Sequence, residues 1–208
     1  MAAGDYCTLA ELKDWIGGAA VNVTADDLNF GNVITSVSRW IDQYCQRRFG
    51  SVTETRVLDA CTPTVLELGA FDDLASMTTL KTDQNLDGVY ETTWAASDYQ
   101  LLPLDAPFGP EPRPYRSIRS TGGRAFPLPA GTGRIGLVQI AGVWGWPATP
   151  ASVNQACLIQ CHRIFKRKDA PEGMMGFADF GVVRMQSRLD PDVAAMLDPY
   201  QRRAVRVA

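Results

Sequence analysis

Two groups of residues in this 208-residue chain have types and spacings that could do chemistry. Asp83, Asn85, Asp87 and Gly88 set oxygen ligands at alternate positions ahead of a glycine turn, which is the first half of a calcium loop. The second half is missing. Counted from Asp83, the twelfth position is Trp94, where a bidentate glutamate is needed, and the flanks read as strands instead of helices. A polar hairpin turn at Asp87-Gly88 explains the same residues without a cation, and it is the preferred reading.

The second group is Cys157, Cys161 and His162, with two thiols one helical turn apart. A zinc site needs about four ligands, usually from two elements, and no second pair is evident. Cys7, Cys45 and Cys61 lie scattered among apolar neighbours, so small buried hydrophobes are favoured over a metal centre. His162 is the only histidine, so any Cys-His or Ser-His mechanism would have to use it. The sequence has no Gly-x-Ser-x-Gly, phosphate loop, dinucleotide fingerprint or His-Glu-x-x-His. No catalytic residue, cofactor or metal is therefore assigned.

The elements that hold these residues come next. Residues Arg134 to Val143 form a strand whose alternating sets, Ile135, Leu137, Gln139, Ala141 and Gly136, Val138, Ile140, Gly142, are both mostly apolar. Such a strand is expected in the centre of a sheet with both faces covered. Trp144-Gly-Trp-Pro147 turns the chain, and Thr149 and Pro150 open a helix with Val153, Ala156, Cys157, Cys161, Ile164 and Phe165 on one stripe. Leu158 and Ile159 lie off that stripe, which predicts contact on a second side. Arg163, Lys166, Arg167 and Lys168 suit the negative end of the helix dipole. The same reading serves Arg47-Arg48, and it is preferred over phosphate contact for both of these clusters and for Arg202 to Arg206.

A chain of this length buries roughly 70% of its unfolded surface, so no staple is required. Five cysteines at no repeating spacing do not make a disulfide framework. A net charge of -3 argues against a surface built wholly for nucleic acid. Asp5, Glu11, Lys13 and Asp14 interrupt the first twenty residues, so neither a secretory signal nor a membrane anchor is expected there, and a reducing cytoplasm is the expected site of synthesis.

Taken in order, Thr8 and Glu11 form a capping box ahead of a short helix that ends at Gly17-Gly18. Thr24 and Asp27 start a second helix, predicted to run down to Arg48 with Gly50 as its stop, about 24 residues and about 36 Å long. Short β-type runs follow at Thr53 to Leu58, Val65 to Leu68, Thr79 to Thr82, Glu91 to Trp94 and Tyr99 to Leu102. From Pro103 to Gly133 seven prolines and five glycines leave little periodicity, which predicts an arm without regular structure that orders against a neighbour. Asp169 to Phe177 reads as a loop and Gly181 to Met185 as a short strand. Asp190-Pro191 caps a helix stopped by Pro199, and Tyr200 to Val207 reads as a basic, half-apolar tail able to dock.

The order of parts resembles the tailed-phage head-to-tail connector (adaptor) family. The likeness rests on Ile41-Asp-Gln-Tyr-Cys-Gln-Arg-Arg-Phe49 after the capped helix, Thr92-Thr-Trp94, Asp98-Tyr99, Val143-Trp-Gly-Trp-Pro147, Phe165-Lys-Arg167 and Ser187-Arg-Leu-Asp-Pro191. It spans nearly the whole chain, and its motifs are structural. The resemblance implies a virion protein of the head-tail neck, assembled in the host cytoplasm. It further implies a ring of about twelve subunits between the portal protein and a tail-side stopper or tail terminator, with double-stranded DNA passing through without sequence-specific binding. No membrane is involved. A ring needs a heterologous interface between neighbouring copies, which long loops and tails supply.

The expected fold is therefore α+β. A helical bundle forms from an N-terminal part (1–50) and a C-terminal part (146–198), with a β-rich middle (51–145), a Pro-rich arm (103–133) and a tail (199–208). Portal contact is expected at Tyr200, Arg202, Arg203, Val205 and Arg206. Contact with the neighbouring subunit is expected at Phe108, Arg113, Tyr115, Arg116 and Phe126. A calcium-dependent binding module and a thiol or metal enzyme remain the alternatives.

Overall fold

A computed structural model describes residues 4–17, 27–108, 111–129, 135–168, 174–177, 181–184 and 190–202, with backbone alone for 167, 168, 174–177 and 181–184. The fold is α+β, and the chain divides into two compact units. One comprises residues 1–46 and 149–208, the other residues 47–148.

In the first unit, α1 (Leu9–Gly17) begins with a capping box in which both halves are made. The Glu11 amide donates to Thr8 Oγ1 at 3.0 Å, and the Thr8 amide donates to Glu11 Oε2 at 2.6 Å. Helix α2 (Asp27–Cys45) buries Phe30, Ile34, Val37, Ile41 and Cys45 at helical spacing. It is shorter than the sequence predicts, 19 residues or about 28 Å. Gln46 takes a left-handed φ of 53° and breaks the helix, and the amide of Arg202 donates to the freed Cys45 carbonyl at 2.9 Å. The expected start at Thr24 lies outside the described residues.

Helix α3 (Ala151–Lys168) packs against α1, α2 and α4 (Pro191–Leu197), which explains why Leu158 is buried off the main stripe. Phe30 of α2 stacks on Phe165 of α3 with ring centroids 4.3 Å apart. Asp190 is the N-cap of α4, accepting from the Asp192 amide, and its other oxygen pairs with Arg163. Met174–Phe177, read from sequence as loop, is a strand paired with Gly181–Arg184.

The second unit holds two antiparallel sheets. The first is ordered β1 (Val52–Leu58), β7 (Val138–Trp144), β3 (Leu74–Thr82), β4 (Thr92–Thr93), and the second β2 (Val65–Glu67), β6 (Ser117–Ser120), β5 (Tyr99–Leu102). Strand β7 is central, as its apolar alternation predicts. Val138, Ile140, Gly142 and Trp144 are buried, whereas Gln139, Ala141 and Val143 are only half-covered. The strand starts four residues later than expected because the amides of Gly136 and Leu137 donate to the Asp59 carboxylate at 2.7–3.0 Å, away from the ladder.

Gly142 faces the irregular register of β3, where a Cβ would sit 2.3 Å from the Ser76 carbonyl oxygen. Both sheets contribute to one core that includes Leu66, Leu74, Leu80, Ile118, Ile140 and Trp144. The Pro-rich segment departs most from expectation. It contains a 3-10 turn at Ala106–Phe108 and then β6, the middle strand of the second sheet. Main-chain pairing to β2 and β5 supplies order that no local periodicity announces.

Candidate functional site

The residues that converge most closely are three thiols in the helical unit. Cys157 and Cys161 share one face of α3, and Cys7 enters from the segment just ahead of α1. The Cys7 and Cys157 Sγ atoms lie 3.5 Å apart, and those of Cys157 and Cys161 lie 3.9 Å apart. All three sulfurs fall within 4.8 Å of one another, and the residues are 0–3% exposed. This corrects the reading of Cys7 as an isolated hydrophobe, since a partner element does bring a third thiol to the pair.

The segment carrying Cys7 is fixed from both sides. The Tyr6 amide donates to Ser38 Oγ at 3.1 Å, the Tyr6 hydroxyl donates to Asp42, and Asn154 Nδ2 of α3 donates to the Tyr6 carbonyl at 2.8 Å. Ser38 Oγ stands 3.8 Å from Cys157 Sγ. Hydrogen bonds from Cys161 and then Cys7 hold the Cys157 thiol well below the usual thiol range. The hydrogen bond to Cys157 raises Cys7, and the same neighbour raises Cys161. His162 points its chemistry elsewhere: burial and the charge of Lys166 depress its pKa, and it is not among the converging ligand atoms.

The Asp83 loop is a polar turn organised from within. Its nine residues, 83–91, link β3 to β4, so Asp87-Gly88 is not the tight two-residue hairpin the dipeptide suggests. Asp83 is buried and accepts from the amides of Gly88 at 2.7 Å and Asp87 at 3.2 Å. Asp87 accepts from the Val89 amide at 2.7 Å, and Leu86 and Gly88 take φ values of 64° and 97°. Asp83, Asp87 and Glu91 bring carboxylate oxygens within 4.8 Å of one another, with one Glu91 oxygen accepting from the Gln84 amide at 3.1 Å.

Of the residues expected to meet a neighbour, Phe108 is 84% exposed, Arg113 and Arg116 are exposed, and Tyr115 is half-buried. Phe126 is corrected: it is 2% exposed and stacks on Trp94 with centroids 4.7 Å apart, inside the β core. Leu104, four residues before Phe108, is also exposed. Of the residues expected to meet a portal, Tyr200 ends a 3-10 turn after α4 and Arg202 is half-buried. Arg203, Val205 and Arg206 lie outside the described residues. Arg47, read as a helix-end cation, is instead buried in the β unit, 2.9 Å from Asp73. No described helix is long and apolar enough to cross a membrane.

No protein-family model matches the chain. No curated protein matches its sequence. Solved structures do share its fold. A chain from the neck of an empty gene transfer agent (GTA) particle, computed with C6 symmetry, is similar over 100% of this chain and 96% of that one. The pair has a TM-score of 0.58 and 17% identity. A chain from the native GTA neck, computed with C12 symmetry, covers 96% and 90% respectively at a TM-score of 0.55 and 18% identity. A chain of the native GTA virion covers 96% and 91% at 0.58 and 20%. At these identities the likeness establishes the fold.

Proposed function

We propose that this chain is a structural protein of a phage-like virion neck, a head-to-tail connector that assembles as a ring of about twelve copies between a portal and a tail-side stopper or terminator. The observation that carries this reading is that the likeness to GTA neck and virion chains runs through essentially the whole length of both partners. The two units are therefore matched together, not one common module alone. The C6 and C12 symmetries of those particles favour a ring of repeated copies in which one surface meets a different surface on the next.

Neighbouring copies meet through the exposed residues Leu104, Phe108, Arg113 and Arg116 and the half-buried Tyr115. This surface pairs an apolar anchor with guanidinium groups, a composition suited to a protein interface. The tail beyond Arg202, with Arg203, Val205 and Arg206, reaches the portal. Arg202 itself anchors that tail through the hydrogen bond from its backbone amide to the Cys45 carbonyl, and Tyr200 lies two residues before it. DNA passes through the ring without base-specific contact, and the chain performs no turnover.

The test is a truncation after Arg202, which keeps the Cys45 cap, assayed by co-purification with the portal protein of the same particle. Loss of portal binding with unchanged circular dichroism is expected. Full binding by the truncated chain would refute the assignment of the tail.

A further inference from the structure

We infer that Cys7, Cys157 and Cys161 form a binding site for a soft, thiophilic divalent cation of the zinc class, with the buried Ser38 hydroxyl 3.8 Å from Cys157 Sγ. The geometry carries the argument. A Zn–S bond of about 2.3 Å in tetrahedral coordination separates sulfurs by about 3.8 Å. The observed separations of 3.5 Å and 3.9 Å bracket that value, and both are far longer than the roughly 2.05 Å of a disulfide.

The ligands come from two elements, the chain ahead of α1 and two successive turns of α3, which is how structural zinc sites tie a fold together. Their positions are held by other contacts: Tyr6 is bonded to Ser38 and Asn154, and the two α3 cysteines are fixed by the helix itself. A cation there would replace van der Waals contact between Cys7 and α3 with two-element coordination. The chemistry balances simply. Three S–H bonds break, three metal–sulfur bonds form, and three protons leave to the buffer, with Ser38 Oγ or a water completing four ligands. Cys61 is exposed and Cys45 bonds towards the Leu197 carbonyl, so neither competes for the site.

The experiment uses the full chain, purified under reducing conditions and stripped with chelator, then titrated with Co2+ and back-titrated with Zn2+. The expected result is a sulfur-to-cobalt charge-transfer band that saturates at one equivalent and disappears on adding one equivalent of zinc, with three protons released per cation bound. The band should be lost in Cys157→Ser and Cys7→Ser and retained in Cys61→Ser, with folding of each variant checked by circular dichroism. Where a cluster variant fails to fold, the wild-type stoichiometry and the number of protons released per cation decide. Absence of the band, a band that survives Cys7→Ser, or a chain two hydrogens lighter with two thiols missing would overturn the site. The last outcome would make the pair a disulfide.

Discussion

Breaking the Arg47–Asp73 pair should cost the β unit a large part of its stability. The guanidinium Nη1 lies 2.9 Å from Asp73 Oδ2, with side chains 8% and 1% exposed, and Arg47 also stands over the Trp146 ring at 5.7 Å. Two charges removed from water gain little over an apolar pair, but removing one partner takes this ion pair from a charge that stays buried, at a cost of about 3–5 kcal/mol. Against a domain stability of about 5–15 kcal/mol, either Asp73→Leu or Arg47→Met alone should bring the unit near its threshold. Arg47→Met/Asp73→Leu removes both charges, so it should be less damaging than the sum of the singles by roughly 0.5–3 kcal/mol. Urea dependence of hydrogen exchange at the Val138–Trp144 amides reads this unit directly. A single-variant loss below about 1 kcal/mol, the value of an exposed pair, or strict additivity in the double would refute the reasoning.

Other perturbations have defined signs. The Glu11 carboxyl is held below its usual range first by the hydrogen bond from the Thr8 amide. Its folded pKa is therefore depressed, so its contribution is present above the unfolded carboxylate pKa and is lost as pH falls through the folded value. Exchange protection of α1 should drop on acidification in the wild type more than in Glu11→Gln, and equal pH profiles would exclude this. Gly145 has φ +97°, and an added Cβ would lie 2.0 Å from the Gly50 carbonyl oxygen. Gly145→Ala should cost roughly 2–4 kcal/mol in a denaturant titration, whereas Gly31→Ala, within α2 with open space around it, should stabilise by about 0.5–1 kcal/mol. Asp190→Ala should destabilise α4 by about 0.5–2 kcal/mol through loss of the cap to Asp192, visible as faster exchange at the Asp192–Leu197 amides.

Features set by neighbouring residues were legible in the sequence. The Thr8/Glu11 box, the Asp190-Pro191 cap and the alternation of β7 each depend on contacts a few positions apart or on one strand's own pattern. What escaped depends on distant partners. Cys7 meets Cys157 across 150 positions, so no spacing rule could pair them. Arg47 follows a helix end in sequence yet serves a carboxylate 26 residues away, and α2 stops where Gln46 turns left-handed. Strand β6 is only Ser117–Ser120, hidden among prolines and ordered by two flanking strands. Phe126 looked like an arm residue because its stacking partner, Trp94, lies in a different run. The α+β class was legible, and Trp144 and Trp146 of the Val143–Pro147 motif are buried residues of the β unit.

The most direct measurement is a reconstruction, at side-chain resolution, of the particle produced by the genome that encodes this chain. The account predicts a closed ring of about twelve copies in the neck, with Phe108 of each copy against the next and the tail beyond Arg202 against the portal. Its absence from the particle, or its presence as isolated copies away from the neck, would contradict the account.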